Sequence, residues 1–383
     1  MINRGTKNLR KQLTEAERLI KTVGGIDERV ALANYIGNLY RTILCMGYDV
    51  TLNKKKCFGN RRNYNKFIKK LDIYSDQMLN NFILRKDFHS SFFGEVLPDV
   101  EDEMMKICRL RFNTDDSTFS EKDFIDVFYQ FMDSLSLGEL FDKFYDNNKI
   151  YSSVVGSDKN NLGFTLYNPL NRCTDLIVKD LKFDLSGMNT LAHEFGHAFD
   201  LENFTGDVAT YNKFFYTSFY GEVISRLFER LLFRFLLSKG IKVEAVKDKI
   251  IDFECLNFDF LMDAYILSLL DSDFLQSDDY LDCDSTVLYN MVKSYFFEDA
   301  DILGYIERMD DIDLSEVFNY AYGDIVSLFL CEEVEKNGFS SELVDYFFQN
   351  RCKPFDESFL RECGFGPGNY AKLYAKETQL IKK

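Results

Sequence analysis

Residues 191–200 read LAHEFGHAFD, and inside them His193-Glu194-Phe195-Gly196-His197 sets two of the chain's three histidines four residues apart. With three histidines in 383 residues, random placement yields a His-Glu-x-x-His match on the order of a few times per thousand such chains. Met188, Leu191, Ala192, Phe195, Ala198 and Phe199 recur at helical spacing and form one apolar stripe, which predicts a helix over 186–201 with that stripe toward a core. At 100° per residue His193 and His197 fall on the opposite side, one above the other, the spacing at which two imidazoles grip one tetrahedral ion. Two exposed surface histidines are the alternative reading.

A half-site needs a third ligand, and the next predicted helix, SFYGEVISRLFERLLFRFLL at 218–237, is apolar nearly all round. Its acids Glu222 and Glu229, with Ser225 between them, line one narrow stripe. A buried carboxylate without a partner costs several kcal/mol, so this stripe calls for a cation or a positive side chain. Zinc at the tip of the stripe answers that need; ion pairs to Arg226 and Arg230 are the rival explanation.

Working outward, residues 150–181 change to short β-type runs, IYSSVV, GFTLY and DLIVKDL, separated by turn clusters, and predict a small antiparallel sheet. Helical periodicity predicts helices at 8–21, 26–46, 121–145, 256–270, 286–297, 314–335 and 340–350. The glycine-rich GFGPG at 364–368 lacks the Lys-Ser/Thr of a phosphate loop and reads as a structural turn. The basic run KKKCFGNRRNYNKFIKK at 54–70 stands alone in a chain whose Lys+Arg 46 and Asp+Glu 62 give a net charge of −16, the wrong sign for a phosphate backbone or an anionic membrane. Nucleic acid and membrane are therefore not expected partners. Nine scattered cysteines without a Cys-x-x-Cys pair, and no apolar leader or membrane-length run, predict a cytoplasmic protein with free thiols.

Taken together, His193-Glu194-Phe195-Gly196-His197 followed some 25 residues later by Glu222, Ser225 and Glu229 resembles the zinc oligopeptidases, the family of thimet oligopeptidase and oligopeptidase F. Leu191-Ala192 ahead of the motif and FNYAYGD at 318–324 fit the same pattern, and the resemblance runs from about Phe119 to the C-terminus. It implies a mainly α fold in which two helical lobes flank a cleft, with the small sheet beside the active-site helix: a zincin with Glu as third zinc ligand. Residues 1–118 form an N-terminal helical region and 119–383 the catalytic region. His193, His197 and Glu222 are the implied ligands of Zn2+, Glu194 the general base, and Glu229 and Ser225 the residues that support the ligands. Asp200 is expected to hold one of the histidines in a single tautomer. A strand such as 175–181 is expected to pair with an extended peptide substrate.

The stretch before the tyrosine-rich helix, RMDDIDLSEVFNYAYGD, lacks the histidine that the family carries there, which leaves Tyr320 or Tyr322 to donate to the transition state. His89 is remote in sequence and reads as a surface or packing residue. Two other readings stay open. A catalytically weak peptide-binding protein fits the missing histidine but not the retained Glu194; a protein-specific zinc endoprotease of toxin type fits the short chain, but its third ligand usually lies later, for example within 252–284.

Overall fold

The computed structural model describes residues 7–45, 61–112, 117–147, 149–153, 163–179, 181–270 and 314–382, and these form fourteen α-helices and three strands. Before the sheet come α1 (Lys7–Leu19), α2 (Ile26–Cys45), α3 (Arg61–Leu84), α4 (Lys86–Ile107), α5 (Glu121–Ser134) and α6 (Gly138–Asp146). The strands are β1 (Ile150–Ser153), β2 (Gly163–Asn168) and β3 (Cys173–Lys179). All that follows is helical: α7 (Leu185–Glu202), α8 (Val208–Thr217), α9 (Val223–Ser238), α10 (Val243–Leu269), α11 (Leu314–Asn337), α12 (Glu342–Asn350), α13 (Glu357–Glu362) and α14 (Pro367–Lys382). The helix expected at 286–297 and residues 54–60 of the basic run lie outside the described residues, and 61–70 open α3.

The single helix expected over 121–145 is two. Ser136 takes φ 60°, and the amides of Ser136 and Leu137 turn back to the carbonyls of Asp133 and Met132, at 2.9 and 2.8 Å. This closes a helix C-terminus in the manner usually given to glycine, so the break carries no glycine for the eye to find. Likewise the helix expected from 218 begins at Val223, after Phe219 at φ 59°, which leaves Glu222 at the helix N-terminus.

The sheet is mixed, not antiparallel: its order is β1-β3-β2, with β1 parallel to β3 and β2 antiparallel to it. Strand β3 is therefore central, and its backbone is hydrogen-bonded on both sides. This corrects the expectation that 175–181 offers a free edge; among the described residues β2 is the edge strand on the side of α7. Strand alternation decides what the two faces bury. Ile150, Leu176 and Val178 join the main core, while Tyr151, Leu166 and Ile177 pack into a second core built by α1 and α2. Burial on both faces explains why β3 reads LIV without polar alternation.

The main core is aromatic and α-helical. Phe92 and Phe93 of α4, Phe128 and Phe131 of α5, Phe195 of α7, Phe228 of α9, Leu261 of α10 and Ile325 of α11 are all within it. Helix α9 is its axle, packed on α7 along one side and on α11 along another. A fully buried Arg230 on α9 ties three further helices together, reaching Glu254 of α10 at 2.7 Å, Asp324 of α11, and Glu377 of α14 at 3.6 Å. Among the described residues, no helix is long and apolar enough to cross a membrane.

Candidate metal centre and active-site cleft

Asp184 caps α7 by accepting the Gly187 amide at 2.8 Å, and the apolar stripe of Met188, Leu191, Ala192, Phe195 and Ala198 is fully buried. That burial turns the opposite face, with His193 and His197, toward the turn before α9. Close approach there depends on two glycines. A methyl group on Gly196 would stand 2.5 Å from the Ser225 Cα, and one on Gly323 of α11 would stand 2.9 Å from the Glu222 Cβ. The turn itself is pinned by the Gly221 amide, which donates to Asn319 Oδ1 at 2.8 Å.

The result is a converging set of donors. His193 Nε2 and His197 Nε2 face each other at 3.2 Å, and Glu222 Oε2 lies 3.4 Å from the first and 3.3 Å from the second. Among the described residues these three form the one His/Cys/Asp/Glu group able to hold a metal ion. Ligands about 2.0–2.1 Å from a tetrahedral zinc stand about 3.4 Å from one another, so the donor set fits that ion in both chemistry and spacing.

Two of the three candidate ligands, Glu222 and His193, are held from behind. Ser225 Oγ donates to Glu222 Oε2 at 2.7 Å. Glu229 Oε2 lies 3.2 Å from His193 Nδ1, while its carboxylate also accepts from Asn189 Nδ2 at 2.6 Å and from Arg226 at 2.9 Å. One carboxylate thus meets both the Arg226 guanidinium and the His193 ring. Burial drives both imidazoles down, but Glu222 beside His197 outweighs it and leaves that ring pushed up to about 9. Burial drives Glu222 up, yet the two histidines and Ser225 hold it well below the usual carboxylate range.

Glu194 lies between His193 and β2, in the wall of the cleft. Its Oε2 accepts from Thr165 Oγ1 at 2.7 Å, and burial raises its carboxyl above the ordinary value. A raised pKa brings a carboxylate nearer the range in which it takes and returns a proton. The cleft beside it encloses about 420 Å3 and is lined by His193, Glu194, Arg226, Phe253, Phe260 and Tyr320 among others.

Of the two tyrosines, only Tyr320 reaches this cleft: its ring stacks on Phe260 at 4.4 Å and lies 6.4 Å from the His193 ring. Tyr322 is fully buried, and its hydroxyl shares a 2.6 Å hydrogen bond with His89 Nδ1. Asp200 also departs from expectation. It lies 2.6 Å from Arg351 Nε, so its partner is that guanidinium and not a histidine ring. Thr165, Asn189 and Asn319 were absent from the sequence reading. Asn189 sits one turn before His193 on the same face and was open to inference; Thr165 and Asn319 come from distant elements and were not.

His89 is packed inside a cage of Phe82, Phe318, Phe355 and Tyr322, and burial, with Arg85 adding to it, lowers its pKa to about 3. The unfolded chain binds this proton below pH 6.5 and the folded chain does not, so stability is unaffected above 6.5 and falls as pH drops toward 3. At pH 4.5 the loss is about 3 kcal/mol. Urea denaturation at pH 7 and 4.5 should show that His89→Leu removes this portion of the acid sensitivity; equal pH slopes in both proteins would assign it elsewhere.

No protein-family model and no curated protein matches the sequence. Its fold, however, is that of solved peptidase structures. A Bacillus anthracis str. Ames protein provisionally assigned as an oligoendopeptidase F superposes with TM-score 0.51 at 12% identity, covering 97% of this chain and 78% of that one. A second structure with the same provisional assignment gives TM-score 0.51 at 12% identity over 98% of this chain and 75% of that one. A provisionally assigned peptidase from Chlamydophila abortus gives TM-score 0.47 at 15% identity; there the match covers 91% of this chain, which spans 63% of the length of that one. The resemblance read from the motifs is thus met at the level of the oligoendopeptidase F fold.

Proposed function

We propose that the chain is a zinc-dependent oligopeptidase that hydrolyses short peptides by an activated water. The observation that carries this reading is the triangle of His193, His197 and Glu222 with edges of 3.2–3.4 Å, set beside a buried glutamate that is not part of it. His193, His197 and Glu222 would hold the zinc, which when bound would supply Lewis acidity to the scissile carbonyl and lower the pKa of water toward neutrality. Glu194, oriented by Thr165, takes a proton from the attacking water and returns it to the leaving amine. The Tyr320 hydroxyl donates to the carbonyl oxygen as negative charge develops there. Strand β2 replaces β3 as the element that an extended peptide pairs with, since Gly163 at its start packs against Glu194. Glu222 at hydrogen-bonding range of both histidines supports an early third ligand over a later carboxylate of the toxin kind. Short peptides as substrates and a cytoplasmic setting belong to the same proposal.

Quenched fluorescent peptides test it. Cleavage should vanish when a chelator strips the metal and return on adding one equivalent of zinc; cleavage that survives complete metal removal refutes the zinc mechanism. The tyrosines separate in the same assay. Tyr320→Phe should lower kcat by roughly 10²–10³ with little change in KM, because the bond forms mainly in the transition state. Tyr322→Phe should leave kcat alone and cost about 1 kcal/mol of stability through the lost bond to His89. Silence at Tyr320 would leave the carbonyl oxygen without a tyrosine donor.

A further inference from the structure

Arg226 has more donors than partners. It lies on α9 one turn after Glu222, its side chain is 3% exposed, and it lines the wall of the active-site cleft. One terminal nitrogen donates to Glu229 at 2.9 Å; Nε and the second terminal nitrogen are buried and have no hydrogen-bond partner among the described residues. Buried donors are almost always satisfied, so two orphans on one guanidinium call for a reason. The orphaned pair is a matched one, because Nε–H and the nearer terminal N–H point the same way and form the side-on fork that receives both oxygens of a carboxylate. The guanidinium rests 4.0 Å over the Phe253 ring and 5.5 Å from the Tyr320 ring, contacts that fix its plane and leave its hydrogen-bonding edge free.

Resting on the peptidase reading above, we propose that Arg226 is a specificity-determining residue that anchors a carboxylate of the peptide substrate by this side-on fork. Arg226 is separated from His193 by a single carboxylate, that of Glu229, at 2.9 and 3.2 Å. Arg226 and His193 also line the same cleft, so the anchored group lies in the cleft that takes the cleaved bond. The orphaned nitrogens are buried, so a carboxylate that reaches them displaces the side chains that cover them. Among the described residues the rival cation of the cleft is Lys249, which stands 3.7 Å from Asp252 and is 34% exposed. A terminal α-carboxylate and an acidic side chain share the required chemistry, and the test separates them.

The zinc-loaded full chain is given matched fluorogenic peptides ending in a free carboxylate or an amide, plus amidated peptides with Asp or Glu at each position flanking the cleaved bond. A carboxylate held by this fork should raise kcat/KM roughly 10–100-fold over the uncharged peptide. A preference for the free acid names the terminal carboxylate; a preference only among acidic side chains names those. Arg226→Lys, which keeps the charge and loses the fork, should bring the ratio close to one, as should Arg226→Gln if it folds. Calorimetric binding of an acetylated dipeptide acid and its amide to the Glu194→Gln chain gives a readout free of catalysis, with the acid tighter by a similar factor. Equal cleavage and equal binding of acid and amide, with no acidic side chain favoured, overturns the proposal. So does a preference that survives Arg226→Lys or disappears in Lys249→Gln instead. Failure to cleave any peptide counts against the peptidase reading, and the binding comparison still decides the role of Arg226.

Discussion

Glu194→Gln is expected to abolish peptide cleavage, by roughly 10³-fold or more in kcat, while the protein keeps its fold and its metal. The side chain is buried, donates nothing to the metal triangle, and accepts a hydrogen bond from Thr165 at 2.7 Å that a glutamine oxygen also accepts. What the amide cannot do is take a proton. A 10³-fold loss corresponds to about 4 kcal/mol of barrier, a fitting size for the loss of both a general base and the acid it becomes. The acid limb of the wild-type kcat/KM profile should report protonation of the Glu194 base and be missing from the residual activity of the variant. Metal content by atomic emission must stay at one equivalent. A variant that cleaves normally defeats the assigned mechanism, and one that loses zinc shows that Glu194 supports the metal instead.

Removal of a ligand acts at the other end of the same chemistry. His193→Ala, His197→Ala and Glu222→Ala should each abolish stoichiometric zinc, because three protein ligands are the minimum usual at a catalytic zinc. The residues behind them grade the effect: Glu229→Gln and Ser225→Ala should weaken zinc by roughly 10–100-fold without abolishing it, since they orient ligands and do not touch the ion. Competition with a calibrated chelator measures both classes on one scale. A Glu222→Ala protein that still binds one equivalent tightly would remove Glu222 from the ligand set, whereas a Ser225→Ala protein as impaired as Glu222→Ala would mean that the carboxylate has no fixed position without its hydroxyl partner.

The predicted losses differ in what they require of the tertiary structure, and the same division separates what sequence reading reached from what it did not. The four-residue spacing of His193 and His197, and the stripe from Met188 to Phe199 that turns them away from the core, are properties of one helix and follow from its periodicity. Ser225 beside Glu222 and Asn189 beside His193 are equally local. The choice between Tyr320 and Tyr322 was not, since two residues on one helix differ by about 200° and only the packing of α11 decides which face meets the cleft. Asp200 was assigned to a histidine because it lies near one in sequence, but Arg351, 151 residues later, supplies the full charge that a buried carboxylate needs.

What the sequence by itself determined is therefore a helix that presents two imidazoles, a second helical segment that carries a stripe of carboxylates, and a run of short strands. Each is encoded by contacts within a few turns of chain. Only the tertiary structure decided that β3 is flanked on both sides, that Ser136 breaks a helix by adopting φ 60°, that Thr165 orients Glu194 and that Arg226 keeps an edge without a partner among the described residues. These depend on which surfaces meet after collapse. Hydrophobic periodicity states that a face is buried and not what it is buried against, and the partner of a buried polar group is settled by whichever distant donor or charge lowers its desolvation cost the most.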